Sequence, residues 1–182
     1  MMPKGQGGIM SRCFVAVDFV NDFITGKLGS ENAEKSAQRA FTFLESIPKN
    51  DTIIFTLDTH PKGDKEFKLW GEHCVKDTWG SELWSPMEKI DGVRLRKGNY
   101  DAFFKTDLEE IVCNLNTKDL YIFGISTDIC VQNTVAGAFF RGFNINVIED
   151  LSASLRDEDH RMALENMVRL YGARILNSEE LK

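Results

Sequence analysis

Positive charge is in short supply in this chain. Its 22 Lys and Arg face 28 Asp and Glu, a net charge of −6 over 182 residues. That balance argues against a nucleic-acid backbone or an anionic membrane as partner, because both attract cationic surfaces. Long apolar runs are missing too: none approaches the roughly 20 residues that a membrane-spanning helix requires. Cysteine is sparse, with Cys13, Cys74, Cys113 and Cys130 widely spread and no C-x-x-C among them. A chain of this length builds a core without disulfide staples, so a reducing cytoplasm is expected. No G-x-G-x-x-G follows the first apolar run, which removes the usual dinucleotide fingerprint. The opening MMPKGQGGIMSR is Gly-rich and polar and has no apolar stretch of the secretory-signal kind. Residues 1–12 therefore read as a flexible extension and residues 13–182 as one domain.

What is present alternates between two periods. CFVAVDF (13–19), TIIFTL (52–57), GVRLRK (92–97), DLYIFGI (119–125), INVIED (145–150) and ARIL (173–176) read as strands. Between them, Ala33, Ala37, Ala40, Phe41 and Leu44 fall on one face of a helix over 31–47. Thr106 and Glu109 have the spacing of a capping box, opening a helix that carries Leu108, Ile111, Val112 and Leu115. Val131, Val135, Ala138 and Phe139 share a face of the next helix, and Gly142 stops it. The last helix, over 157–172, turns Ala163, Leu164, Met167, Val168 and Tyr171 inward. Strands alternating with helices predict an α/β fold: three αβα layers, doubly wound around a parallel sheet of about six strands. One stretch breaks the rhythm. Residues 58–91 have no clear period, yet hold two of the three histidines and all three tryptophans. Long ordered connections of this kind are often functional.

In such a sheet, ligands bind beyond the carboxyl ends of the strands. Asp18, Asp58 and Lys97 close the first three strands, Ser126-Thr127-Asp128 with Cys130 come at the end of the fourth and Asp150 at the end of the fifth, and so all gather at one edge. Singly, each has a plain structural reading. An Asp after a strand often forms a turn, a Lys there is usually solvated, and a Cys early in a helix is usually core, as expected for Cys13 and Cys113. Together they supply an acid, an ammonium and a thiol. A thiol near a helix N-terminus has its thiolate favoured, a carboxylate can take its proton, and turn amides can donate to a developing oxyanion. That is equipment for acyl transfer through a thioester.

A second set lies in the irregular stretch: Asp58 and His60 in DTH, then His73 and Cys74 in HC. One carboxylate and two imidazoles suit zinc, manganese or iron, with coordination positions left open. Adjacent residues do not easily aim at one ion, so Cys74 is read as buried. His160, in a polar helix start, is read as a surface residue.

The pieces VAVDFVNDF, TLDTHP, WGEHCVKDTWGSEL, RKGNYDAFFKTDL, FGISTDICVQNT and VIEDLSAS resemble, in order and over nearly the whole chain, the isochorismatase-like cysteine hydrolases. That family includes nicotinamidases and N-carbamoylsarcosine amidases. The resemblance implies a catalytic triad of Asp18, Lys97 and Cys130. It implies an oxyanion hole from the Ser126 and Cys130 amides, with a cis peptide at Ile125–Ser126. It implies a metal, zinc foremost, on Asp58, His60 and His73. Phe23 and Trp70, helped by Tyr100 and Phe103, become the expected substrate walls. The implied function is hydrolysis of a small carboxamide, nicotinamide foremost, by a homo-oligomer, dimer or tetramer. N-carbamoylsarcosine or a related small amide is the alternative substrate. A receiver-like signalling module, also doubly wound with acids and a Lys at strand ends, is a distant alternative by fold analogy.

Overall fold

The run CFVAV becomes β1 (Cys13–Val17), buried along its whole length. It is flanked on one side by β2 (Thr52–Asp58) and on the other by β4 (Asp119–Gly124). The computed structural model, which describes residues 11–182, adds β3 (Val93–Lys97), β5 (Asn144–Ile148) and β6 (Arg174–Leu176). All pairings are parallel, in the order β3-β2-β1-β4-β5-β6. The expected extension over 1–12 lies, but for its last two residues, outside the described residues.

Neighbouring strands make a sheet two-faced, because successive side chains point to opposite sides. Phe14 and Ala16 enter one core, where α2 (Glu31–Ser46) contributes Ala33, Ala37, Ala40, Phe43 and Leu44. Cys13, Val15 and Val17 enter the other, against α4 (Leu108–Asn114), α5 (Gln132–Phe140) and α6 (Asp157–Tyr171). Two short helices, α1 (Asn21–Ile24) and α3 (Phe67–Trp70), belong to the connections. The result is the predicted three-layer αβα arrangement. Its strand order differs from that of a receiver module. Among the described residues no helix is long and apolar enough to cross a membrane.

Local chemistry sets the helix ends. Ser30 caps α2 by accepting from the Ala33 amide, and Gly172 ends α6 in the left-handed region at φ 63°. The capping box expected at Thr106 does not form. Thr106 donates its hydroxyl to the Ala102 carbonyl and accepts from the Leu108 amide, and Asp107 takes the cap position.

Some inward assignments also change. Phe43 joins the α2 stripe, and Phe41 packs at its edge, half-buried, with the Lys89 ammonium 4.5 Å from its ring centre. Phe139 and Val168 are exposed, because α5 and α6 pack on each other as well as on the sheet. Phe139 then meets Tyr171 at 5.5 Å in a surface aromatic group. Cys113 is exposed as well, on the outer side of α4.

The order of strands places a switch point between β1 and β4, whose connections leave in opposite directions. The crevice beyond their carboxyl ends is where such folds bind ligands. Gly124 (φ 144°) lets the two strands close there: a Cβ at this position would fall 2.0 Å from the Val17 carbonyl oxygen.

Candidate active site

Register assembles the first part of the site. Val17 lies opposite Thr56, and Asp58 lies opposite Lys97. Asp18, one residue past β1, adopts φ 55°, a left-handed conformation that Asp tolerates better than most residues. Its Oδ1 accepts from the Thr56 hydroxyl at 2.8 Å. Its Oδ2 lies 2.7 Å from Lys97 Nζ, yet has no hydrogen-bond partner of good geometry. Lys97 Nζ also reaches Asp58 Oδ1 at 3.3 Å, the Asn99 carbonyl at 2.8 Å and Cys130 Sγ at 3.6 Å. All four side chains are buried.

One ammonium thus serves two carboxylates and a thiol. Burial works against the Lys97 charge, but Asp18, Cys130 and Asp58 outweigh it and hold the proton firmly on the amine. Burial also works against ionised Asp58; there Lys97 and the nearby histidines win, and the carboxyl is held below its usual range. Asp18 goes the other way. Its desolvation exceeds the help from Lys97, and Asp58 adds repulsion, so its affinity for a proton rises. Burial pushes the Cys130 thiol up as well, against the pull of Lys97.

Cys130 sits in a wide turn, Thr127–Val131, which joins β4 to α5. The Ile125–Ser126 peptide before it is cis. The Ser126 carbonyl accepts from the amides of both Ile129 and Val131, and the Thr127 amide donates to the Ala153 carbonyl. A cavity of about 290 Å³ opens over the thiol. Phe23, Trp70, Tyr100, Ile125, Ile129 and Ser126 are among its walls, with Lys27 also lining it. The Trp70 indole N–H donates to the Tyr100 hydroxyl at 2.9 Å.

The second part of the site adjoins the first through Asp58. Its Oδ2 is 2.9 Å from His60 Nε2 and 3.7 Å from His73 Nε2. His73 Nδ1 is 2.8 Å from the Gly71 carbonyl, which turns Nε2 toward Asp58. Ligand atoms of Asp58, His60 and His73 lie within 4.8 Å of one another. Two acids that sequence reasoning missed complete the surroundings: Glu66, with Oε2 3.9 Å from His60 Nε2, and Asp64, with Oδ2 3.3 Å from His60 Nδ1. Burial lowers the proton affinity of His60, but Asp58, Asp64 and Glu66 outweigh it and push the imidazole up to about 9. A buried group of two imidazoles and a carboxylate that so favours positive charge fits a divalent cation. The signal for the acids was present in HPKGDKE, but nothing local said that this segment folds back on His60.

The other expected residues divide. Asp22, which the sequence reading did not single out, is buried and accepts from the Cys74 amide at 2.8 Å, pinning the His73 segment. Cys74 is buried, as read. Phe103 is not a pocket wall: it stacks on Phe143 at 5.8 Å in the core under α4 and α5. The turn after Tyr100 bends inward there, because the Ala102 amide donates to Thr134 on α5. Asp150 does not join the cluster either; it accepts from the Ser178 amide and hydroxyl at 2.8 and 2.6 Å and ties down the C-terminus. His160 is not a free surface residue. It is half-buried and shares a 2.8 Å hydrogen bond with Thr127.

Comparison with known proteins agrees with this geometry. The family model "Isochorismatase domain" matches residues 12–180. A solved structure of N-carbamoylsarcosine amidase from Thermoplasma acidophilum superposes with a TM-score of 0.85 at 31% identity, covering 93% of this chain and 98% of that one. Pyrazinamidase/nicotinamidase from Streptococcus mutans UA159 gives 0.82 at 30%, covering 91% and 100%. Pyrazinamidase of Pyrococcus horikoshii, solved in complex with zinc, gives 0.82 at 27%, covering 92% and 99%. A match over residues 12–180 means that the chain belongs to the isochorismatase family of hydrolases.

Proposed function

We propose that this protein is a cysteine-dependent amidohydrolase that cleaves a small carboxamide through a thioester, with nicotinamide as the foremost substrate. One observation carries the reading: Lys97 Nζ stands 2.7 Å from Asp18 and 3.6 Å from Cys130 Sγ at the floor of the cavity.

Cys130 Sγ attacks the amide carbon while its proton passes to Asp18 Oδ2, the oxygen without a hydrogen-bond partner. The Ser126 and Cys130 amides donate to the oxyanion, a contribution of about 3 kcal/mol for one such donor. Collapse breaks the C–N bond, and Asp18 returns the proton to the departing amine, which leaves as ammonia. Water then gives a proton to Asp18 and its hydroxide adds to the thioester. Breakage of the C–S bond releases the acid, and the proton goes back to sulfur. Lys97 keeps its charge throughout and balances the anion as it moves between carboxylate and thiolate.

Asp58, His60 and His73 would hold zinc, manganese or iron, with Glu66 as a further donor. Such an ion supplies a Lewis-acid anchor for a lone pair on the substrate. Phe23, Trp70 and Tyr100 suit a flat aromatic ring between them. Four free cysteines suit a reducing cytoplasm, and a homo-oligomer is the expected assembly. Lys27 on the cavity wall favours a second reading, an amide that carries a carboxylate, as in N-carbamoylsarcosine.

Ammonia release from nicotinamide, pyrazinamide, N-carbamoylsarcosine and aliphatic amides, with and without chelator, separates these readings. Cys130→Ala is expected to lower the rate by roughly 10⁴-fold or more. Ammonia released by that variant at the wild-type rate would rule the proposal out.

A further inference from the structure

His160 is far from the reacting groups in sequence, and no step above uses it. It stands in the first turn of α6, and its Nδ1 lies 2.8 Å from Thr127 Oγ1. Thr127 is fully buried and opens the turn that ends in Cys130 and Val131. This contact is the one hydrogen bond of the Thr127 hydroxyl among the described residues.

The turn itself is unusual. Val131 N–H donates to the Ser126 carbonyl, a loop wider than an α-helical turn, and ordinary α-helix begins directly after it at Gln132. A wide turn abutting an α-helix has a ready alternative: tightening by one residue. Each residue advances an α-helix by roughly 100°, so tightening would rotate Cys130 away from the ammonium 3.6 Å from its sulfur. Something must hold the wide form. The backbone does part of this through Thr127 N–H to the Ala153 carbonyl. Asp128 does part by accepting from the Ser126 and Ser154 hydroxyls at 2.7 and 2.6 Å. The first residue of the turn is held by its side chain through His160 alone.

We propose that His160 is a positioning residue that keeps the turn in its wide form, acting on Cys130 through Thr127. The imidazole, kept neutral by burial, carries its proton on Nε2 and accepts from the Thr127 hydroxyl at Nδ1. Thr127 is thereby kept from bonding to a carbonyl of its own turn, the habit of Thr in helices that competes with the observed arrangement.

The proposal rests on Cys130 as nucleophile, and the test keeps the two apart. His160→Leu, His160→Asn, Thr127→Val and the double variant His160→Leu/Thr127→Val are compared with wild type, using nicotinamide as substrate. His160→Leu and Thr127→Val are each expected to lower kcat by roughly 10²-fold with KM nearly unchanged, the effect of misplacing a reacting group. The double variant should be no worse than either single one, since both remove one bond. His160→Asn puts a polar atom where Nδ1 stands and should restore most of kcat. Amide hydrogen exchange at residues 127–131 should accelerate in His160→Leu and Thr127→Val but not in His160→Asn. That readout needs no substrate, so it decides the positioning role even if Cys130→Ala remains active. Should His160→Leu fail to fold, Thr127→Val carries the same comparison. Wild-type kcat and exchange in Thr127→Val would overturn the proposal. So would multiplying effects in the double variant, or no rescue by His160→Asn.

Discussion

The two halves of the candidate active site are built by different means. Asp58 and Lys97 end their strands, Asp18 and the Cys130 turn follow theirs, and parallel register brings them to one edge. His60, Asp64, Glu66 and His73 come from the irregular connection after β2, whose path is set by contacts such as Asp22 to the Cys74 amide. The first half is fixed by the sheet, which tolerates little adjustment. The second depends on a loop held by a few polar bonds. The rigid sheet edge suits bond-making chemistry, where small misplacements are costly, and the loop-built half, tied down by backbone bonds on both sides of His60, suits holding an ion.

Lys97→Met tests the rigid half most severely. It should lower kcat/KM by roughly 10³-fold, within the range for proton-transfer partners. It should also destabilise the protein by about 3–5 kcal/mol, because Asp18 and Asp58 are left buried without their cation. Steady-state rates and thermal unfolding measure both. A folded, unshifted Lys97→Met protein would mean that the sheet edge does not depend on its charge balance.

His73→Ala tests the loop-built half. It should abolish stoichiometric metal in elemental analysis of the purified protein and lower the melting temperature, because an ion that binds only the folded chain stabilises it. Asp64→Asn, which touches the far nitrogen of His60, should weaken zinc by roughly 10–100-fold. Wild-type metal content in His73→Ala would sever the link between this cluster and an ion.

The smallest effects are pH shifts, and they differ between the halves. In the proposed mechanism Asp18 has to be ionised to take the thiol proton, and burial raises its affinity for a proton. The acid limb of kcat/KM should therefore lie above the ordinary carboxylate value of about 4. An acid limb at or below that value would contradict the assignment. Asp58, Asp64 and Glu66 push the His60 imidazole up to about 9, so an ion bound there as proposed would have to displace its proton at neutral pH. Zinc affinity should rise about tenfold per pH unit up to that point, as release of one proton requires. Titration at two pH values distinguishes this from a pH-independent site.

Legibility in the sequence followed the same division. Strand-end residues were readable because a parallel sheet converts position after an apolar run into position in space. Asp18, Lys97 and Cys130 could be grouped that way without any coordinates. Asp58, His60 and His73 were visible through residue type. Glu66 and Asp64 were not, since an acid in a polar loop carries no sign of where it will point. Phe103 was misplaced for a related reason: an aromatic beside a site can face the ligand or the core, and a bond from Ala102 to Thr134 decided for the core. His160 was read as exposed because its neighbours Asp157, Glu158 and Asp159 are acidic, while its own partner, Thr127, lies on another element.

Residue order by itself determined the α/β alternation, the parallel sheet and the edge at which its chemistry gathers. These depend on periods of a few residues, and such periods are local. Only the tertiary structure decided which acids surround His60, which side of the sheet receives Phe103, and what holds the wide turn under Cys130. Those outcomes depend on single hydrogen bonds between residues far apart in the chain, and no local pattern encodes the partner of such a bond.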